Sequence, residues 1–292
     1  MSAPQGVLRL GTRSFEPHQL LVMAIVNRTP DSFYRPGITW DESAAMERVH
    51  QVVAEGADII DIGGVPAAPG SVVDAGEEIR RTAGFVAAVR AAYPDAVISS
   101  DTYRSEVARE VCAAGADLLN DSWGGADPKL AEVAAEFGAG IVCAHVGRQP
   151  PRTRPHRVAY PDVMADVLSA TLALADRAVA AGVDPARIVI DPAHDFGKNT
   201  WHSLEVTRRL AEMTATGWPV LLSASNKDFV GETLNVPPDQ RLSGTLAATA
   251  ISAWLGARIF RAHQVVETRQ VLDMVSAIRG DIPPARAARA LA

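Results

Sequence analysis

The chain has 292 residues, near the size of one large α/β domain, and 48% of them are hydrophobic, enough to bury a sizeable core. Its 28 Lys and Arg against 34 Asp and Glu give a formal net charge of −6, which argues against broad binding to nucleic acid or to an anionic membrane surface. No uninterrupted apolar stretch approaches the roughly 20 residues of a membrane helix, Met1-Ser2-Ala3-Pro4 has no charged and then apolar leader, and Cys112 and Cys143 make no disulfide framework, so a cytosolic protein is expected.

Residues 1–20 hold a short alternating stretch, Val7-Leu8-Arg9-Leu10, expected to form a hairpin or plug under the domain. Eight short apolar runs follow, at 21–26, 59–62, 97–99, 117–119, 140–144, 188–190, 220–222 and 258–260, often β-branched as strands buried on both faces are. Between them lie stretches with helical spacing and good helix formers, at 42–55, 75–92, 105–114, 129–137, 161–181, 203–213, 241–254 and 266–279. This alternation predicts a single-domain (β/α)8 TIM barrel over 21–280, with a tail over 281–292 that is frayed or lightly docked. Glycines at 56, 115, 138, 182, 217 and 256 stand where helices close in the left-handed conformation. The alternative, a doubly wound open sheet, usually carries a GxGxxG turn after its first strand, and none occurs there.

Six of the runs end on polar side chains: Asn27, Asp101, Asn120, His145, Asp191, and the pair Arg261 and His263. In α/β barrels the C-terminal ends of the strands carry the chemistry. In chain order the surrounding motifs are Met23-Ala24-Ile25-Val26-Asn27-Arg28-Thr29-Pro30-Asp31-Ser32-Phe33, Asp58-Ile59-Ile60-Asp61-Ile62-Gly63-Gly64, Ser100-Asp101-Thr102-Tyr103, Leu119-Asn120-Asp121, Asp191-Pro192 with Phe196-Gly197-Lys198, Ser225-Asn226-Lys227 and Arg261-Ala262-His263.

This ordered set, spread over about residues 20–275, resembles the dihydropteroate synthase family. The resemblance implies an enzyme that joins a dihydropterin methylene diphosphate to para-aminobenzoate with loss of diphosphate, and a homodimer formed through the last helices. It implies that Asp101, Asn120, Asp191 and Lys227 read the amino-pyrimidinone edge of a pterin, although Asp101 also stands where a helix cap belongs. It gives the diphosphate to Asn27, Arg261 and His263, with a magnesium ion beside Asn27 to neutralise the departing charge. Arg261 suits bidentate gripping of phosphate oxygens, whereas His263 reads equally as a satisfied core histidine. No residue is assigned a covalent or acid–base step.

The departures from the family pattern fall on one side of this site. Where the family reads Gly-Gly-Glu-Ser-Thr-Arg-Pro-Gly, this chain reads Gly63-Gly64-Val65-Pro66-Ala67-Ala68-Pro69-Gly70, so Ala67 and Ala68 replace Thr and Arg. Losing a charged hydrogen bond is worth about 1.5–3 kcal/mol, roughly ten- to a hundredfold. Where the family reads Ser-Arg-Lys-Ser, this chain ends on Asp228, at the position that lies near the aminobenzoate carboxylate. Two like charges about 4 Å apart cost on the order of 4 kcal/mol at an effective dielectric near 20, unless Asp228 turns toward Lys198 or another cation.

His194 and Asp195 replace Ile-Gly just before the ring-stacking Phe196 and read as polar additions to the rim. Ala67, Ala68, Phe196 and Asp228 thus form an altered arylamine site. The expected protein is a divergent homologue with little or no normal synthase activity that still binds pterin-like or sulfone-like molecules. Two alternatives stay open: a synthase of low efficiency in which Arg35 supplies the lost cation, and a pterin-binding methyltransferase relative with a corrinoid partner.

Two further features are weaker. Cys143-Ala144-His145 puts a thiol and an imidazole on one strand face with no third ligand at metal spacing. Loop 148–157, with Arg148, Arg152, Arg154, His156 and Arg157 among prolines, reads either as a basic flap for an anionic ligand or as a solvated loop.

Overall fold

Alternation along each strand decides the architecture. The computed structural model describes residues 6–29, 41–154 and 156–289, so Arg35 and residues 30–33 of the first motif lie outside the described residues. A hairpin of β1 (Leu8–Leu10) and β2 (Arg13–Phe15) precedes eight strands: β3 (Leu21–Asn27), β4 (Ile59–Gly63), β5 (Val97–Asp101), β6 (Leu118–Asp121), β7 (Gly140–Ala144), β8 (Ile188–Asp191), β9 (Leu221–Leu222) and β10 (Ile259–Ala262). From β3 to β8 each strand pairs in parallel with the next, β9 pairs with β10, and β10 returns to β3. A parallel bridge between Ile190 and Val220 closes the ring at β9, and the fold is the expected TIM barrel.

Register sets what each residue faces. Met23 lies opposite Ile59, and Ile59 opposite Val97. That parity points inward, and the inner cluster of Leu21, Met23, Ile59, Val97, Leu118, Val142, Val189, Leu221 and Ile259 is sealed from below by Leu8, Leu10 and Phe15 of the hairpin. The opposite parity, including Val22, Ile60, Ile98, Leu119, Ile141 and Ile188, packs outward against the helices. Both faces are therefore dry, and this is why the runs are continuously apolar. Two residues further along the inward parity the apolar layer gives way to polar groups: Ile59 is followed by Asp61 and Val97 by Ser99.

The helices are α1 (Glu42–Ala54), α2 (Ala75–Ala92), α3 (Ser105–Ala113), α4 (Leu130–Phe137), α5 (Val163–Ala180), α6 (Thr200–Arg208), α7 (Leu210–Thr214), α8 (Asp228–Leu234), α9 (Leu242–Trp254) and α10 (Val265–Arg279). Asp41, Asp74 and Asp162 cap α1, α2 and α5 by accepting backbone N–H groups of the first turn. All six closing glycines have positive φ, from +64° at Gly138 to +109° at Gly115.

Two elements differ from the sequence expectation. The helix expected over 203–213 starts earlier, at an Asn199–His202 capping box, and breaks at Arg209, whose guanidinium is held by Asp162, Glu205 and Glu212. The short α8 is an addition, stabilised from outside its own sequence by Asp195, which accepts the Phe229 N–H at 3.2 Å. Among the described residues no helix is long and apolar enough to cross a membrane.

Candidate functional site

The floor of the barrel mouth is a buried carboxylate. Asp61 has no solvent exposure, and its oxygens accept from Ser99 Oγ at 2.6 Å, Asn120 Nδ2 at 3.2 Å and Arg261 Nε at 2.6 Å. Four strands thus meet on one side chain that was not among the residues expected for the site. Arg261 spans from there to the rim, donating through Nη2 to Asp101 Oδ2 at 2.9 Å, while Ser122 Oγ donates to Asp101 Oδ1 at 2.6 Å. Burial raises the Asp101 carboxyl to about 6, with Arg261 opposing and Asp61 reinforcing the shift.

Gly63 lies between Asn27 and Asp101. A Cβ there would stand 3.5 Å from Asn27 Oδ1 and 3.6 Å from Asp101 Cβ, so its absence keeps the mouth open between them. His263 Nδ1 meets Ser225 Oγ at 2.9 Å, and its carbonyl accepts from Arg48 at 2.6 Å. Burial, then Arg261 and Arg48, lower its imidazole to about 3, so it is neutral at physiological pH.

The opposite wall comes from β8 and the loops after it. Asp191 Oδ1 accepts the Ala193 N–H at 2.6 Å, and burial raises its carboxyl while Lys227 opposes the shift. Lys227 Nζ donates to the His194 carbonyl at 2.5 Å and lies 4.8 Å from the centre of the Phe196 ring, which in turn meets Trp123 edge-on at 5.0 Å. Beneath this loop Lys198 is buried and donates to the carbonyls of His145, Ala193 and Phe196 at 3.1–3.2 Å and to His145 Nδ1 at 2.6 Å. His145 therefore carries its proton on Nε2 and donates it to Asp166 at 2.7 Å. The imidazole is a structural link, and Cys143 points outward into the helix-side core.

The barrel thus gathers Asn27, Asp101, Asn120, Asp191, Lys227, Arg261 and His263 at one end. Two polar changes behave differently from the sequence expectation, and the third, Asp228, takes the pairing with another cation that the expectation allowed. His194 is not on the rim: it is fully buried, stacked on Phe229 at 5.2 Å and bonded to Thr207 Oγ1 at 2.8 Å. Asp195 is occupied as a partner for Phe229 N–H and Ser203 Oγ. Positive φ at Ala193 and Asp195 turns this segment inward. Asp228 has found its cation in Arg241, 2.9 Å away, rather than in Lys198, and its side chain is 79% exposed. Arg28 stacks over Phe85 and donates to the Arg81 carbonyl, pointing away from Asn27 as strand alternation requires.

A dry apolar layer beneath converging carboxylates, amides and cations at the C-terminal strand ends is the arrangement in which α/β barrels build their ligand sites. The profile of the pterin binding enzyme family matches residues 23–263, and the chain belongs to the dihydropteroate synthase family. It is 58% identical over 276 residues to the Mycobacterium tuberculosis protein named Inactive dihydropteroate synthase 2, covering 93% of this chain and 87% of that one. It is 37% identical over 260 residues to the dihydropteroate synthase of Bacillus subtilis, with 88% of each chain covered. The Yersinia pestis dihydropteroate synthase, solved in complex with a sulfonamide drug, superposes with a TM-score of 0.88 at 34% identity, covering 94% of this chain and all of that one.

Proposed function

We propose that the chain binds a pterin-like molecule in its barrel mouth and runs the dihydropteroate synthase reaction at a low rate or not at all. One observation carries this reading: a single hydrogen-bonded network joins buried Asp61 and Asn120 to half-buried Asp101 and Arg261, whereas the facing loop from Val65 to Pro69 has no polar side chain. The name of the mycobacterial relative points the same way. In this reading Asp101 and Asp191 accept from the donors of the heterocycle, and Asn120 and Lys227 supply donors. Asn27, Arg261 and neutral His263 line the place where phosphates would lie. Sulfone-like molecules that mimic the flat ligand belong to the same class.

Magnesium fits only as an ion carried by such a ligand. Among the described residues no group of three or more His, Cys, Asp or Glu is placed to hold a metal, and Asn27 offers one amide oxygen. Mg2+ demands octahedral oxygen ligation and usually keeps several waters while binding substrate phosphates. When bound it would neutralise phosphate charge. A cytosolic setting, where the buried thiols of Cys112 and Cys143 stay reduced, is part of the same proposal.

Calorimetry with 6-methylpterin tests the binding. Heat is expected from the native protein and none from Asp191→Ala. Burial raises the Asp101 carboxyl to about 6, and below that pH the protonated group has less acceptor capacity and turns an O–H toward the donors of the heterocycle. Affinity should therefore rise as pH climbs from about 5 to about 7, and Asp101→Asn should flatten that profile. Absence of heat with any pterin overturns the reading. So does diphosphate release within about tenfold of the Bacillus subtilis enzyme when the protein is given dihydropterin diphosphate, para-aminobenzoate and magnesium.

The proposal extends to a homodimer through the last helices. Ile251 and Trp254 on α9 and Met274 and Ile278 on α10 are 53–61% exposed, a large apolar area for adjacent helices to leave in water. Light scattering should give twice the chain mass for the native protein and the chain mass for Trp254→Glu with Ile278→Asp. A native protein that scatters as one chain overturns the dimer.

A further inference from the structure

The loop that lacks the family's Thr and Arg is held by arginines from elsewhere in the chain. Between Gly64 and Val73, five backbone carbonyls accept from three guanidinium groups. Arg81 Nη1 donates to Gly64 at 3.0 Å and Arg104 Nη2 to Val73 at 2.8 Å. The other three belong to Arg152: Nε to Pro66 at 3.1 Å, Nη2 to Ala68 at 3.2 Å and Nη1 to Ser71 at 2.7 Å. Arg152 comes from the loop after β7, so these bonds tie two βα loops together across the mouth.

The tie has structural correlates on both sides. Arg152 has φ +59°, in the left-handed region that an L residue occupies only when its surroundings hold it there. Gly70 lies against the guanidinium, where a Cβ would stand 3.4 Å from Nη2, in van der Waals contact. Under the held segment the space beside Asp101, roofed by Val65 and Ala67 and bounded by Tyr103 and Trp123, has a volume of about 20 Å³. A cavity of about 10–15 Å³ holds one water, so between these described residues the space is water-sized. It is also polar: Glu78 lines it, and Glu78 Oε1 is buried with no hydrogen-bond partner among the described residues.

We infer that Arg152 is a specificity-determining residue of the cleft, latching the 65–71 segment as a roof so that a bicyclic pterin is admitted and a pterin with an aryl arm on that side is excluded. The inference rests on the proposed pterin binding. Three bonds from one planar fork set the geometry, and a lysine with its point charge cannot reproduce them. A ligand that needs the roof raised must bind the minor open state, and its apparent affinity falls by that population.

The test uses the full chain as native protein, Arg152→Met, Arg152→Lys and, as a control with the same charge change, Arg154→Met, whose exposed side chain lies in the same loop. Amide hydrogen exchange is followed over 66–73, and calorimetry compares 6-methylpterin with pteroate. In Arg152→Met the loop amides should exchange about tenfold faster, and pteroate should gain about fivefold or more in affinity relative to 6-methylpterin. Arg152→Lys should move the same way, and Arg154→Met should change neither quantity. Simple charge loss would weaken the anionic pteroate, so the expected gain has the opposite sign to an electrostatic artefact. An unchanged affinity ratio in Arg152→Met overturns the latch alone. Absence of 6-methylpterin binding to the native protein overturns the proposed function and the latch with it.

Discussion

Asp61→Ala is expected to lower unfolding stability by about 3 kcal/mol and to abolish pterin binding. Truncating one member of a buried ion pair leaves its partner's charge without compensation, which costs about 3–5 kcal/mol. Arg261 retains 18% exposure and its bond to Asp101, so the lower end applies. Ser99 and Asn120 lose an acceptor in the same step, and the side chains of three strands lose their common anchor on a fourth. Urea unfolding should show a lower midpoint with an unchanged slope. Asp61→Asn provides the finer readout. With the neighbouring anion removed, Arg261 acts on Asp101 alone, and the pH at which pterin affinity rises should move below about 6. A stability loss under about 1 kcal/mol, the scale of an exposed ion pair, would mean that Asp61 does not anchor the mouth.

Asp61 also shows how far the site was legible in the sequence. Strand ends marked Asn27, Asp101, Asn120, Asp191 and Arg261 because an apolar run that stops on a polar residue is a local pattern. Asp61 sits inside its run, two residues before the strand end, and attention to ends passes over it. Its signal is parity: it shares the inward face with Ile59 and Gly63, and a carboxylate on that face needs a cation from another strand. The barrel was legible for the same reason, since period-two burial and glycine-closed helices repeat around the ring. Features that depend on distant partners were not. The break at Arg209 follows from carboxylates on α6 and α7 and from the cap of α5, and α8 begins on a carboxylate supplied by the loop between β8 and α6. The inward turn of His194 depends on two left-handed residues that are not glycine, for which the sequence has no marker. The partner of Asp228 lies 13 positions on, at the start of α9, where no single-helix spacing points.

Ala68→Arg is expected to raise diphosphate release by about ten- to a hundredfold, and Asp228→Ser by less than about fivefold. The two positions look equivalent as departures from the family pattern, and their surroundings separate them. Asp228 is mostly exposed and already paired with Arg241, so most of the repulsion expected toward an incoming carboxylate is screened, and removing its charge changes little. At position 68 no cation is directed from the side chain, and the nearest guanidinium, that of Arg152, holds the backbone carbonyl instead. A restored arginine would stand beside Arg152, and like-charge repulsion between them should hold the gain of the single substitution toward tenfold. Combining Ala68→Arg with Arg152→Met removes that repulsion and frees the loop, and should bring the gain toward a hundredfold. Steady-state release of diphosphate from dihydropterin diphosphate and para-aminobenzoate measures the three variants against the native chain. If Asp228→Ser alone restores turnover, the defect is an added anion and not an absent cation, because an exposed pair with Arg241 would then have failed to screen it.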